Sequence, residues 1–76
     1  MSFERITVEP GKMGGQPCIR GLRIPVATLV AMVADGMSTD EVVTALPEIE
    51  AADVAEALHY AAAVLQERMV PLLDPA

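Results

Sequence analysis

Between Pro25 and Pro71 the chain is punctuated by helix starts and stops at short intervals, which leaves room for three helices and little else. Pro25 suits the first turn of a helix that reads Val26 to Ala34, with Leu29, Val30 and Val33 on its apolar side. Asp35-Gly36 stops it, glycine being the usual residue just past a helix end. Ser38-Thr39-Asp40-Glu41 is a capping box, and Met37 with Val42 has the spacing of a hydrophobic staple. The second helix is brief and ends at Leu46-Pro47. Ile49 and Val54 repeat the staple spacing around Glu50 and Asp53, although Glu is a poor cap beside Ser or Thr. From there Val54, Leu58, Ala61, Leu65 and Met69 recur at helical spacing until Pro71. A short helix, a tight connection from Pro47 to Glu50 and a longer helix match a helix-turn-helix.

The first 25 residues read differently. Phe3, Ile6 and Val8 alternate around Arg5 and Thr7, the pattern of a short strand, which Pro10-Gly11 ends. The run GGQPCIRGLRIPV, Gly14 to Val26, predicts a β-hairpin turning at Gly21-Leu22 in a type II′ geometry, with Cys18-Ile19-Arg20 and Arg23-Ile24 as its arms. The expected fold is therefore mainly α: a short N-terminal β-hairpin element followed by a three-helix bundle containing a helix-turn-helix. Residues 1–70 form one domain and 71–76 a tail.

A chain of 76 residues buries only ~60% of its unfolded surface on folding. With one Phe, one Tyr and no Trp, the core is built from small side chains, and cores of that kind gain stability by pairing with another chain. A homodimer is expected, through the alanine-rich third helix. The single cysteine, Cys18, excludes an internal disulfide and reads as a small apolar residue facing the core. No targeting or membrane-spanning signal is read in the chain, so the expected location is cytoplasmic.

Charge divides the chain in two. Residues 1–25 carry four cations and two acids, whereas residues 26–76 carry one cation, Arg68, and nine acids. Catalysis has little to draw on. His59 is the only histidine and has only Glu56 near it in sequence, Cys18 has no evident base, and Gly14-Gly15 lacks the Lys-Ser/Thr of a phosphate loop. The expectation is no enzyme, no cofactor and no metal. A DNA-reading third helix would place Glu50, Asp53 and Glu56 against phosphate, which repels rather than attracts. The nucleic-acid or anion-binding candidates are instead Arg20, Arg23, Lys12 and Arg5 of the β element. In the expected hairpin Arg20 and Arg23 sit opposite one another, and an anion would relieve their repulsion.

The run Gly14 to Val26, together with Gly36-Met37-Ser38-Thr39-Asp40-Glu41-Val42 and Asp53-Val54-Ala55-Glu56-Ala57-Leu58, resembles the family known as domain of unknown function 433. The similarity runs from about Arg5 to Ala62, with Leu22 standing where the family commonly has Thr and Glu50 where a Ser or Thr cap is common. The resemblance implies a homeodomain-like helix-turn-helix protein of VapB-type antitoxin character. Its implied partner is a PIN-like ribonuclease toxin that uses carboxylate-bound magnesium, with operator DNA as a second partner in autoregulation. The expected function is a non-catalytic antitoxin-like protein that binds and neutralises such a nuclease. A homodimeric interaction module without a toxin and a stand-alone DNA-binding repressor are the alternatives.

The partner-binding candidates lie at the C-terminal end. Met69-Val70-Pro71-Leu72-Leu73 sets four large apolar residues beyond the completed helical pattern, where exposure to water is unfavourable at ~25 cal/mol per Å². Arg68 precedes them, and an arginine is suited to pair with the carboxylates of a magnesium site. Arg68, Met69, Leu72 and Leu73 are accordingly the expected contacts to the nuclease. The same leucines folding back onto helices 1 and 3 is the competing expectation.

Overall fold

The computed structural model describes residues 3–67. In chain order these form β1 (Ile6–Thr7), a single 3-10 turn (Met13–Gly15), β2 (Cys18–Ile19), α1 (Val26–Ala34), α2 (Thr39–Ala45) and α3 (Ala51–Glu67). The architecture is mainly helical, with a short antiparallel strand pair at the N-terminal end, as the punctuation of the sequence leads one to expect.

The helix boundaries follow from local chemistry. At the end of α1, Gly36 adopts φ +95 and the chain closes with Gly36 N donating to Val33 O (2.9 Å) and Met37 N to Met32 O (3.1 Å). That bond pair is a Schellman closure, which needs a left-handed residue and therefore glycine. The capping box forms with both of its bonds: Glu41 N donates to Ser38 Oγ (3.1 Å) and Ser38 N to Glu41 Oε1 (2.8 Å). Val42 is fully buried and Met37 packs against the core beside it, as a staple requires. The next staple also forms, with Ile49 and Val54 both buried.

The core consists of Ile19 of β2, Val26 and Leu29 of α1, Val42 of α2, Ile49 of the connection before α3, and Val54 and Ala57 of α3. Cys18 is buried as well, its Sγ 3.5 Å from Gln16 O. Phe3 meets Tyr60 edge to face at 5.2 Å between ring centres, which pins the start of the chain onto α3. On α3 the buried face differs from the expected stripe. Asp53, Val54 and Ala57 are buried, whereas Leu58 and Leu65 are 39% and 63% exposed. The apolar spacing traces the right helix but tilts its stripe away from the face that α1 and α2 cover.

The β element also departs from expectation in its turn. The strand pair is between β1 and β2, with Ile6 opposite Ile19 and Thr7 opposite Cys18. The chain then reverses at Arg20-Gly21 rather than Gly21-Leu22, closed by Leu22 N donating to Ile19 O (2.7 Å). Both central residues are left-handed, at φ +43 and +72, as a type I′ turn requires. The return arm is held by Ile19 N to Ile24 O (3.0 Å) and Val26 N to Pro17 O (3.0 Å). Arg20 thus occupies the turn itself, and the expected ladder pairing of Arg20 with Arg23 does not occur.

Candidate functional site

The turn at Arg20-Gly21 has a consequence one element away. It aims the Arg20 side chain at the start of α3, where Asp53 lies fully buried with 0% exposure. Arg20 Nε donates to Asp53 Oδ1 (3.1 Å) and Oδ2 (3.3 Å), and Nη2 donates to Oδ2 (2.9 Å) and to the Glu48 carbonyl (2.7 Å). Arg5, beside β1, reaches the same carboxylate from the other side. Its Nη1 donates to Asp53 Oδ1 (3.0 Å) and to Glu50 Oε1 (2.8 Å), while its backbone N donates to Glu56 Oε2 (2.6 Å). The fourth donor to the carboxylate is Glu50 N at 2.8 Å from Oδ2, which makes five hydrogen bonds in all.

This geometry explains why α3 begins with a glutamate. Glu50 supplies the first helical carbonyl, to Asp53 N (2.9 Å) and Val54 N (3.4 Å), and Asp53 three residues on accepts its N–H in return. Half of a capping box is therefore in place without Ser or Thr at the cap. A negative side chain at this position also complements the positive end of the helix dipole.

Burial alone pushes the Asp53 carboxyl up, but the hydrogen bonds from Arg20, the Glu50 backbone N–H and Arg5 more than offset it. The group is held below the ordinary carboxylate range and stays charged. No buried side-chain nitrogen or oxygen among the described residues lacks a partner.

Two of the four expected anion-binding residues, Arg5 and Arg20, are thus gathered into one cluster, but around the chain's own acids. A third, Lys12, pairs with Glu9 Oε2 (2.8 Å) and donates to the Gly21 carbonyl, bracing the turn from outside. Arg23 is exposed and makes no ion pair among the described residues. Arg68, Met69, Leu72 and Leu73 lie outside the described residues. Asp53 itself was missed as a hub, because in sequence it is one of several acids at a helix start. Its signature was the third position of a stapled helix in a chain whose cations cluster elsewhere.

The second feature is an open apolar groove of about 400 Å³ between α1 and α3. Val30 and Ala31 form one wall, Tyr60, Ala61, Val64 and Leu65 the other, and no charged residue lines it. His59 is exposed on a different part of α3. Among the described residues no group of three or more His, Cys, Asp or Glu is placed to hold a metal ion, and no helix is long and apolar enough to cross a membrane.

The fold and the buried cluster together define a small helix-turn-helix domain whose β element is clamped to the start of its last helix. Residues 6–61 match the model of the family of proteins of unknown function DUF433, and the chain belongs to that family. It is similar to a DUF433 member protein from Anabaena variabilis seen in a crystal structure, with 38% identity and a TM-score of 0.76. That likeness covers 83% of this chain and 62% of the other. It is also 38% identical over 60 residues to the uncharacterized protein y4eO of Sinorhizobium fredii. The match takes in 79% of this chain but 27% of the rhizobial protein, so the domain spans about a quarter of that relative.

Proposed function

We propose that this domain is a non-catalytic, antitoxin-like protein that binds a PIN-like ribonuclease and blocks it. The observation that supports the reading is the internal use of cations. Arg5, Arg20 and Lys12 are paired with Glu50, Asp53 and Glu9, so the positive charge of the β element is largely neutralised within the domain. What remains is an acidic surface: from Ile24 to Glu67 there is no Lys or Arg, and Asp35, Asp40, Glu41, Glu48 and Glu67 are exposed with no ion pair among the described residues.

Such a surface suits a cationic partner. An enzyme that cleaves RNA needs positive charge around its site to attract phosphate, and an acidic protein competes for that same charge. The same argument weighs against phosphate as the main target of the domain itself, since nucleic-acid affinity rests on cations free to displace counterions. DNA-binding autoregulation is therefore the lesser activity in this reading, with Arg23 as its contact.

The test is to co-express the chain with the PIN-like nuclease encoded nearest to it and to titrate the purified protein into a ribonuclease assay. Inhibition that saturates at a fixed ratio of the two proteins is expected. Undiminished cleavage in the presence of excess domain would sink the reading. A low-salt gel shift with flanking DNA separates the repressor alternative, and sedimentation equilibrium the homodimeric one.

A further inference from the structure

We draw no further inference here: the strongest candidate, the open apolar groove between α1 and α3 walled by Val30, Ala31, Tyr60, Ala61, Val64 and Leu65, carries nothing because no feature of the structure shows what covers it.

Discussion

The Arg20 guanidinium lies side-on across the fully buried Asp53 carboxylate, with Nε 3.1 Å from Oδ1 and Nη2 2.9 Å from Oδ2. This contact ties a turn in the first third of the chain to the start of the last helix, 33 residues later. Arg5 joins the same carboxylate across 48 residues, so three separate segments meet at one charge. Arg20 adopts φ +43 in the turn, a conformation uncommon for a residue with a Cβ, and the ion pair is what compensates it.

Removing the shared carboxylate should be the most damaging polar substitution in the domain. Asp53→Ala removes the acceptor of five hydrogen bonds, leaving the Glu50 N–H without a partner, Arg5 with only Glu50 and Arg20 with only the Glu48 carbonyl, and such a loss costs about 3 kcal/mol. A domain of this size has a total stability near the lower end of the usual range of about 5–15 kcal/mol. Asp53→Ala is expected to lose most of that stability. A thermal melt of the variant within a few degrees of the parent would contradict this account of the cluster.

Acid should act through the same group. The folded-state pKa of Asp53 is lowered, so its contribution to stability is complete above the unfolded value of about 3.9. That contribution is lost as pH falls through the still lower folded value. Glu41, lowered by its backbone and side-chain hydrogen bonds with Ser38, adds in the same direction. Urea midpoints should therefore change little on this account between pH 7 and 5 and drop below about pH 4. In Asp53→Asn the acid drop should be shallower. An equally steep drop in that variant would assign it to other carboxylates.

Loss of the first cap should be milder and local. Ser38→Ala removes the acceptor for Glu41 N at the start of α2, and such a change costs about 1 kcal/mol. For a domain of this size that is a fall in melting temperature of about 4–8 °C. The double variant Ser38→Ala, Glu41→Ala should be less destabilised than the sum of the two singles, because the two bonds are reciprocal. Strict additivity in that cycle would show that they act independently.

Two glycines give a matched comparison. Gly36, at φ +95 in the α1 closure, has open space where a Cβ would go, so Gly36→Ala meets a conformational penalty and no clash. About 1 kcal/mol of destabilisation is expected. Gly11 is also in open space but has no positive φ, and Gly11→Ala should be neutral or stabilising by up to about 1 kcal/mol. Equal effects of the two changes would remove the conformational explanation.

Salt should discriminate between partners. If an acidic domain meets a cationic nuclease, the association rate should fall at least about tenfold from low to high ionic strength, and the dissociation rate much less. Arg23→Ala should leave stability within about 0.5 kcal/mol and leave nuclease inhibition unchanged, since Arg23 is exposed. Rates insensitive to salt, together with inhibition lost in Arg23→Ala, would reverse the assignment of surfaces.

The boundaries of α1 and α2 and the start of α3 could be read from the sequence, because the signals that set them act over three to five residues. The Gly36 closure and the Ser38/Glu41 box satisfy backbone groups within one turn, and the Ile49/Val54 staple brings two apolar side chains together across the start of α3. The burial of Cys18 was legible for a similar reason, a small apolar side chain between two apolar-rich runs. The arginines were not. In sequence, Arg5, Lys12 and Arg20 form a basic region and Glu50, Asp53 and Glu56 an acidic one, with nothing local to join them. Only packing β1 and the Arg20-Gly21 turn against the start of α3 brings opposite charges within 3 Å, where burial makes pairing obligatory. The tilt of the buried stripe on α3 was decided at the same level. Helical periodicity places Leu58 and Leu65 on an apolar side, but which side meets α1 and α2 depends on how the three helices cross. That crossing leaves Leu65 exposed at the rim of the groove.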